Sequence, residues 1–334
     1  MDIIPATIAP EFRDISQWVN SDPVSISSLK GKVVMIDCWT YTCIFCLRTL
    51  PVMRKLHHKY GEYGFSVISV HSAEYQFASI PSNINRAISK FNIPFPVAMD
   101  TKNKTWEAYG NMYWPKHILV DCDGFVRFGH AGYGGIADFE ENIVELLHEA
   151  GKNPKISLES KDIKDEIYEI YGMHFYGIAP EICVGYSRLK RFGNNQSLKR
   201  DQLNIFSELE GSREINQVYL KGRWVWRYDG IEHIGSKGAS TSAIIMKYNA
   251  ARRVHAIMGT TDGHAGKAEI MLDGQHLAPE NVGYDSKLGP DGSSFIEINW
   301  PSIYNLVKTI EPQMHEIEII PQSDNFVFYT FVFG

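Results

Sequence analysis

The sequence has few cysteines, no long apolar run and no excess of positive charge. Its five cysteines among 334 residues are too few, and odd in number, for a scaffold held together by disulfides. No apolar run approaches the roughly 18 residues that a membrane-spanning helix needs. The formal net charge of −6, without a basic stripe, gives no reason to expect a nucleic-acid partner. These absences leave a globular protein as the class to consider.

The first residues also lack the features of an export signal. The segment Met1–Thr7 contains neither a basic stretch nor a long apolar one. On this ground alone, we expect a cytoplasmic location.

What the sequence does contain is enough material for two domains. Hydrophobic residues make up 44% of the chain and charged residues 22%, the proportions of a globular protein. A polar stretch from Lys152 onward separates a first part with mixed helix and strand signals from a second part rich in strands. We therefore predict a first domain over residues 1–152, a linker over 153–178 and a second domain over 179–334.

The stretch Trp39–Pro51 carries the clearest chemistry. Cys43 and Cys46 are three residues apart and follow the apolar run Lys32–Cys38, which predicts a buried strand. A helix that starts at the C-x-x-C motif places the first thiol over unsatisfied N–H groups, whose partial positive charge favours the thiolate. Cys46, one turn on, can attack a mixed disulfide at Cys43, so the pair suits dithiol–disulfide exchange. The helix itself is indicated by apolar residues at helical spacing: Leu50, Met53, Leu56 and Tyr60.

A zinc half-site and a chance pair are the simpler interpretations of the motif. No second C-x-x-C or Cys/His pair follows at zinc-finger spacing, and His57 and His58 lie at the far end of the predicted helix. Copper delivery would need a third ligand, for which His71 is the nearby candidate by sequence. A peroxidase would need a proline and a threonine before Cys43 in a P-x-x-x-T-x-x-C arrangement, and that proline is missing. We predict no bound metal and no cofactor.

The elements around the motif follow the order β-α-β-α-β-β-α after an N-terminal extension. A second buried strand is predicted over Phe65–Val70 and a helix over 83–91. Asp123-Gly124 between two β-type runs indicates a hairpin. Asp138 with Glu141 three residues on indicates a capping box for the last helix. This order predicts an α/β domain.

The motif and its flanks resemble the thioredoxin superfamily, in particular its TlpA-like members. The resemblance rests on Trp39 before the motif, on Asp37 six residues before Cys43 and on Pro51 eight residues after it. It implies a thioredoxin-like fold and a redox disulfide between Cys43 and Cys46.

The resemblance also assigns roles to neighbouring residues. Pro115 directly precedes the predicted hairpin and corresponds to the family's cis-proline, whose backbone pairs with an extended substrate segment. An ordinary trans proline at a strand start is the alternative. Pro115, Trp114, Trp39 and Tyr41 are then the predicted substrate-binding residues.

Two acids and two further cysteines lie near the motif in the predicted domain. Asp37 is predicted to accept the proton of Cys46, the alternative being a local hydrogen bond at the strand end. Glu74 follows the second strand at its carboxyl end, where open α/β sheets build sites, so it is a candidate accessory residue or else a solvated loop acid. Cys38 and Cys122 are expected to be buried, inert thiols.

The second domain is predicted to be all-β. Strand-like runs such as Arg223–Tyr228 and Phe326–Phe333 alternate with Asp-Gly turns. This pattern indicates a β-sandwich of the jelly-roll kind, without a catalytic constellation. Trp224, Trp226 and Tyr228 fall at strand alternation on one face, where they either fill the core or stack against a sugar.

Over nearly its whole length the chain resembles the soluble C-terminal portion of DipZ-type proteins. The likeness implies that the second domain is a carbohydrate-binding-module-like sandwich with a glycan or partner surface. It also implies an extracytoplasmic location and an electron partner such as a CcdA-like membrane protein. The segments that carry it are Asp37–Cys46, Val70–Tyr75, Tyr113–Pro115, Ala179–Tyr186 and Phe331–Gly334.

The predicted function is that of a thiol–disulfide oxidoreductase acting on protein substrates. Cys43 attacks, Cys46 resolves and Asp37 takes up the proton, while the second domain recognises a substrate, a partner or a glycan. The alternative is a binding protein in which the sandwich is the functional part and the dithiol is auxiliary or delivers a metal ion. The direction of exchange, reduction or oxidation, is open.

Overall fold

The chain forms two compact units, each with its own sheet. Unit 1 covers residues 1–169 and unit 2 covers residues 170–334. The computed structural model describes residues 2–156, 165–172, 179–207, 211–235 and 241–334.

The predicted linker over residues 153–178 falls partly outside the described residues, at 157–164 and 173–178. Of its described part, Glu166–Tyr171 form a short helix. The boundaries at residues 152 and 179 stay predictions.

Unit 1 is built on a seven-stranded sheet with the order β1-β7-β6-β3-β4-β5-β2. In chain order its strands are β1 (Asp2–Ile8), β2 (Trp18–Val19), β3 (Val33–Trp39), β4 (Phe65–Ser72), β5 (Val97–Asp100), β6 (Lys116–Val120) and β7 (Phe125–Ala131). The strands β3, β4 and β5 are parallel, whereas β6 pairs antiparallel with both β3 and β7. β1 and β2 come from the N-terminal extension and add an antiparallel strand at each edge.

The α-helices described in unit 1 up to residue 156 are α1 (Ile44–Tyr60), α2 (Pro81–Lys90), α3 (Lys104–Ala108) and α4 (Ile136–Glu149). Together with the strands they give the order β3-α1-β4-α2-β5-α3-β6-β7-α4, which is the predicted order with the short helix α3 inserted. Among the described residues, no helix combines the length and apolarity that crossing a membrane requires.

The predicted capping box at the start of the last helix is wrong. α4 begins at Ile136, after Gly135 in the left-handed conformation with φ of 68°. Asp138 therefore lies inside the first turn, where a negative charge is still favoured by the helix dipole. The glycine turn at 134–135 ends the preceding loop earlier than the spacing of acids indicated.

The central strand β3 is buried along its whole length, as a strand covered on both faces must be. Its residues Val34, Ile36 and Cys38 join the core cluster on one face of the sheet. Asp37 is the charged exception within this strand and is 1% exposed. The carboxyl end of β3 leads through four residues into α1, and this junction carries the dithiol.

Unit 2 is all-β in its described part after the short helix, which confirms the predicted class. Its strands pair in the order β16-β17-β14-β19-β12-β10-β11-β20-β13-β18. Three further strands pair outside this order: β15 with β14, β8 with β20 and β9 with β10. In chain order the strands of unit 2 are β8 (Ile182–Cys183), β9 (Leu203–Phe206), β10 (Val218–Trp226), β11 (Ile231–His233), β12 (Ala243–Tyr248), β13 (Arg253–Thr260), β14 (Gly266–Leu272), β15 (Gln275–His276), β16 (Ser286–Leu288), β17 (Ser294–Ile298), β18 (Ser302–Lys308), β19 (His315–Pro321) and β20 (Phe326–Phe333).

Strand β10 belongs to two sets of strands. Its first part, 218–221, pairs with β12, and residues 222–225 pair with β9, while 224–226 also pair with β11. Gly222 lies at the change with φ of 83°, and a Cβ there would lie 2.2 Å from Ser242 Oγ. Both observations require glycine at this bend.

One hydrophobic core joins the two sets of strands of unit 2. It includes Ile317 and Ile319 from β19 together with Phe326 and Phe328 from β20. Trp224 of β10 is part of the same core. Burial of this shared core is the main stabilising contribution to unit 2.

Candidate dithiol active site

The two cysteines of the motif lie at the start of α1 but differ in exposure. Cys43 is the N-cap residue of α1 and is half-buried, whereas Cys46 is fully buried. Both are free thiols. The Cys43 carbonyl accepts the first helical hydrogen bond, from Leu47 N–H at 3.1 Å, and its own N–H donates to Thr40 O at 3.2 Å. The first thiol is therefore placed at the positive end of the helix, as predicted.

The environment of Cys46 keeps its thiol protonated. Burial raises the pKa of Cys46 well above its ordinary value, and a hydrogen bond with Cys43, the charge of Cys43 and that of Asp37 raise it further. Cys43 is the thiol that a partner can reach. Cys46 needs a proton acceptor before it can attack.

The acid Asp37 is buried and has two polar neighbours. Ser69 Oγ donates a hydrogen bond to Asp37 Oδ2 at 3.1 Å. His117 Nε2 lies 3.3 Å from Asp37 Oδ1, and the side chains of both residues are buried. The sequence analysis missed His117. The signal was available, because antiparallel pairing of β6 with β3 places His117 opposite Asp37.

Pro115 and Trp114 lie beside the end of β3, where the dithiol loop begins. Lys116, the first residue of β6, is opposite Cys38, so Pro115 faces this end of the sheet. The peptide bond between Trp114 and Pro115 is cis. The Pro115 carbonyl accepts a hydrogen bond from Gly132 N–H at 2.8 Å. Trp114 is half-buried and stacks on Trp106 with 4.3 Å between ring centroids.

Trp39 and Tyr41 lie in the interior, so the prediction that they contact a substrate is wrong for this structure. Both side chains are 0% exposed. The loop folds back onto His71, whose ring stacks on Tyr41 at 5.5 Å and meets Trp39 edge-on at 5.2 Å. The two aromatic side chains therefore support the dithiol loop from the protein interior, where a substrate cannot contact them.

His71 also supports the dithiol loop through a hydrogen bond. Its Nε2 accepts the Tyr41 N–H at 3.3 Å. Burial lowers the pKa of His71 to about 3, so the ring is neutral at physiological pH. Among the described residues, no group of three or more His, Cys, Asp or Glu side chains could hold a metal ion. His71 thus gives no support to a copper site at the dithiol.

Glu74 is brought to the dithiol loop. Thr42, the residue before Cys43, donates its hydroxyl hydrogen bond to Glu74 Oε2 at 2.8 Å. The contact joins the segment after β4 to the loop that presents the first thiol. Glu74 therefore contacts the dithiol loop through Thr42, and its role as an accessory residue stays a prediction.

Arg48 is a second residue of the site that the sequence analysis missed. Its side chain is 0% exposed, and its guanidinium carbon lies 5.2 Å from the ring centroid of Phe45 and 5.8 Å from that of Tyr133. Burial lowers the pKa of Arg48 to about 10, while the charges of Tyr133 and Cys43 act in the opposite direction. A buried cation thus interacts favourably with the first thiol. Helical position alone did not reveal this burial.

Exposed apolar side chains border the site. Phe45, between the two cysteines, is 44% exposed. Met112 and Tyr113, which directly precede Trp114, are 74% and 65% exposed. Such side chains next to a reactive thiol can contact a protein partner.

The two remaining predictions about cysteines have different outcomes. Cys38 is fully buried, and burial raises its pKa to about 12, while Asn111 Nδ2 donates to its sulfur at 2.8 Å. Cys122 is half-buried, so the expectation of a buried thiol is wrong there. It lies at the turn between β6 and β7, where the chain reaches the surface.

The aromatic residues of β10 do not share one surface. Trp224 lies in the core, and Trp226 is half-buried and donates its indole N–H to Val184 O at 2.7 Å. Tyr228 lies beyond the strand and is 53% exposed. Its ring meets that of Tyr186 edge-on at 5.5 Å. Of the two predicted alternatives, core filling therefore holds for Trp224 and Trp226, which both pack in or against the same core.

Comparison with known proteins gives matches in both units. Residues 5–128 match the AhpC/TSA family, and residues 179–334 match the family described as thioredoxin-like C-terminal domain. Protein DipZ of Mycobacterium bovis is 30% identical over 270 residues, which are 80% of this chain and 36% of DipZ. Thiol-disulfide oxidoreductase YkuV of Bacillus subtilis is 24% identical over 140 residues, which are 42% of this chain and 94% of YkuV. A thiol-disulfide isomerase structure from Corynebacterium glutamicum aligns with a TM-score of 0.39 and 28% identity, over 42% of this chain and 96% of that one.

The matches extend across both units of the chain. The chain spans 36% of the length of the DipZ proteins that it resembles. The β-α-β-α-β-β-α order of unit 1 and the C-x-x-C motif at its helix start agree with the family match over residues 5–128. This chain therefore carries an AhpC/TSA-type thioredoxin-like domain followed by a thioredoxin-like C-terminal domain, and it is a homologue of the DipZ proteins over 80% of its length.

Proposed function

We propose that the protein is a thiol–disulfide oxidoreductase that exchanges disulfides with protein substrates through Cys43 and Cys46. The observation that carries this proposal is the difference between the two thiols. Cys43 is accessible at the positive end of α1, and Cys46 is buried one turn behind it with a raised pKa. The name of the relative YkuV, a thiol-disulfide oxidoreductase, supports the same activity.

The exchange begins with the accessible thiol. The Cys43 thiolate attacks one sulfur of a substrate disulfide, which breaks that bond and releases the other substrate sulfur as a thiolate. The product is a mixed disulfide between Cys43 and the substrate. The released thiolate takes a proton from solvent.

The second step resolves the mixed disulfide. Cys46 gives its proton to the carboxylate of Asp37, and the resulting thiolate attacks the sulfur of Cys43. A disulfide between Cys43 and Cys46 forms, and the second substrate sulfur leaves. The substrate is reduced by two electrons and the protein is oxidised by two, and the reverse sequence oxidises a substrate dithiol.

Substrate contact is proposed for the Pro115 side of the site. The backbone at Pro115 lies beside the dithiol loop, and Trp114 is partly accessible there. Phe45, Met112 and Tyr113 offer exposed apolar area for an extended substrate segment.

Replacement of single cysteines tests the proposed function. Reduction of a protein disulfide by the full chain should be lost in Cys43→Ser. In Cys46→Ser, the substrate should accumulate as a mixed disulfide with Cys43 that mass spectrometry detects. Cys38→Ser is the matched control, because Cys38 is buried next to the site but takes no part in exchange. Exchange that persists in Cys43→Ser would contradict the proposal.

For unit 2, we propose a recognition module of the jelly-roll, carbohydrate-binding-module-like kind. The exposed Tyr228 ring meets the half-buried Tyr186 ring, and the guanidinium carbon of Arg200 lies 5.1 Å from the Tyr186 ring centroid. Aromatic rings with adjacent polar groups suit a glycan or a partner surface. Binding of the full chain to a glycan array, lost in Tyr228→Ala and kept in Tyr284→Ala, would support the module. Tyr284 is the control because it is 59% exposed elsewhere in unit 2.

The electron partner and the compartment are also proposals. An upstream dithiol protein, such as a CcdA-like membrane protein, would reduce the Cys43–Cys46 disulfide after each turnover. Trapping of Cys46→Ser in cells, followed by fractionation, would identify the partner. The same fractions would distinguish a cytoplasmic location from the extracytoplasmic one that the resemblance implies.

A binding protein with an auxiliary dithiol is the second candidate. The surface at Tyr186 and Tyr228 is the observation that favours it. In that case ligand binding would persist in Cys43→Ser, and no disulfide substrate would be reduced by the wild type.

A further inference from the structure

His117 is a buried histidine that the two exchange steps do not use. Its side chain is 0% exposed, and its ring packs against Phe139 of α4 with 4.8 Å between centroids. Neither ring nitrogen makes a well-formed hydrogen bond with the part of the chain that the structure describes. A buried polar group without such a bond destabilises a fold, so a histidine at this position calls for a functional explanation.

The ring faces the carboxylate of Asp37. His117 Nε2 lies 3.3 Å from Asp37 Oδ1, at ion-pair distance although not aligned as a hydrogen bond. Asp37 Oδ1 has no other hydrogen bond within the described residues, whereas Oδ2 accepts one from Ser69. Contacts that serve catalysis are often misaligned in the free protein and tighten in the reaction complex.

Strand register explains why these side chains meet. Ser69, Asp37, His117 and His130 are successive cross-strand neighbours on β4, β3, β6 and β7. Residues that pair in register project from the same face of a sheet. The rings of His117 and His130 lie 6.5 Å apart, and Phe139 packs against both. The titratable groups that face His117 are thus Asp37 on one side and His130 on the other.

Asp37 also interacts electrostatically with the dithiol. The charge of Asp37 contributes to the raised pKa of Cys46 on α1. Asp37 is therefore linked to Cys46 through its charge and to His117 through the 3.3 Å approach of its Oδ1 to Nε2. A group at the position of His117 can thus act on the orientation of the carboxylate.

We propose that His117 is a positioning residue for Asp37 in the resolving step, an inference that rests on the proposed exchange through Cys43 and Cys46. With its proton on Nε2, the neutral ring donates to Asp37 Oδ1 while Ser69 donates to Oδ2. The two donors hold the Asp37 carboxylate in one orientation, in which it accepts the proton of Cys46.

The step balances without a change in His117. The proton leaves the Cys46 sulfur for Asp37, and a bond forms between the sulfurs of Cys46 and Cys43. The bond between Cys43 and the substrate sulfur breaks, and its electron pair leaves with the substrate sulfur, which takes a proton from solvent. Asp37 then returns its proton to solvent, and His117 keeps its own throughout.

A reaction with an aromatic disulfide that releases a coloured thiol separates the two exchange steps. Attack by Cys43 releases a first coloured thiol, and attack by Cys46 on the mixed disulfide releases a second. Stopped-flow absorbance then gives both rates for the full chain. Cys122→Ser and Cys183→Ser in all variants remove the two other half-buried thiols.

We expect His117→Phe, which fills a similar volume against Phe139, to slow the second release by about tenfold or more. The first release should change by less than about twofold, since Cys43 does not depend on Asp37. The second rate should also become more dependent on pH, because solvent hydroxide replaces Asp37 as the acceptor. His117→Gln, which keeps a donor, should restore much of the rate.

His57 provides the matched control. Its Nδ1 accepts the Val67 N–H at 3.2 Å, so His57→Gln disturbs a structural hydrogen bond in the same unit. Both releases should keep their wild-type rates in this variant. Equal slowing of both releases in His117→Phe, or an unchanged second release, would overturn the proposal.

A double variant keeps the test decisive if His117→Phe does not fold. His117→Ala, which removes the donor, should slow the second release by itself, but because His117 acts through Asp37, Asp37→Asn with His117→Ala should react as slowly as Asp37→Asn alone. A further loss in the double variant would overturn the positioning role. A wild type without any second release would overturn the exchange function itself, and this inference with it.

Discussion

His71 Nε2 accepts the backbone N–H of Tyr41 at 3.3 Å, and this hydrogen bond ties the dithiol loop to the carboxyl end of β4. The bond requires an unprotonated Nε2. Because the ring is fully buried, its pKa is lowered to about 3. The stability of unit 1 and the support of the dithiol loop are thereby linked to pH.

Acid should destabilise unit 1 through His71. The folded-state pKa of about 3 lies below the ordinary 6.5, so the unfolded chain binds more protons between these values. The stabilisation is therefore complete above pH 6.5 and decreases as the pH falls toward 3. We expect the free energy of unfolding to fall by about 2 kcal/mol between pH 7 and pH 5 from this group.

Urea denaturation at pH 7 and at pH 5 gives the free energy of unfolding of unit 1 at each pH, and the difference between the two values measures this effect. His71→Gln should lower stability at pH 7 and remove most of the difference between the two pH values. His264, 84% exposed, is the control, since His264→Gln should leave that difference intact. An equal pH dependence in wild type and His71→Gln would contradict the assignment.

The hydrogen bond between Thr42 and Glu74 should stabilise the dithiol loop. Thr42→Val removes the donor to Glu74 Oε2 and should lower the free energy of unfolding by about 1.5–3 kcal/mol, the range for a hydrogen bond to a charged group. Denaturation of Thr42→Val, Glu74→Gln and the double variant gives the coupling energy between the two side chains. Strictly additive losses would show that the bond does not contribute.

Alkylation should distinguish the accessible thiol of Cys43 from the buried thiols of Cys38 and Cys46 in the native protein. Cys38 and Cys46 are fully buried, and burial raises the pKa of both, that of Cys38 to about 12. Cys43 is half-buried at the helix start. We expect rapid labelling of Cys43 by iodoacetamide and protection of Cys38 and Cys46 until the protein unfolds. Mass spectrometry of the digested protein gives the rate of labelling at each cysteine. Labelling of Cys38 as fast as that of Cys43 would contradict the prediction.

Arg48 should increase the reactivity of Cys43. Its buried cation interacts favourably with Cys43, so Arg48→Met removes a charge that favours the thiolate. An interaction on the order of 1 kcal/mol corresponds to about a fivefold slower reaction with iodoacetamide near neutral pH. Arg54→Met is the control on the same helix, because Arg54 pairs with Asp165. Equal rates in Arg48→Met and wild type would contradict this role.

The parts of the site that sequence predicted are those that local signals define. The placement of Cys43 and Cys46 follows from a buried strand joined to an amphipathic helix, and both features are visible within 30 residues. Pro115 came from family resemblance, since nothing in local spacing connects it with the cysteines. The all-β character of unit 2 followed from repeated short apolar runs and turns.

The missed parts depend on contacts between distant segments. His117 meets Asp37 through strand register, 80 positions apart along the chain. The burial of Trp39 and Tyr41 depends on the loop folding onto His71. Side-chain chemistry predicts which residues can react, whereas pairing of β3 with its neighbours decides which of them meet.

Redox titration of the Cys43–Cys46 pair tests the central claim most directly. The full chain is equilibrated in glutathione buffers of graded potential, and free thiols are trapped and identified by mass spectrometry. The account predicts one two-electron transition in which Cys43 and Cys46 change together, while Cys38 stays a thiol throughout. If no disulfide forms between Cys43 and Cys46 at any potential, the exchange mechanism is contradicted.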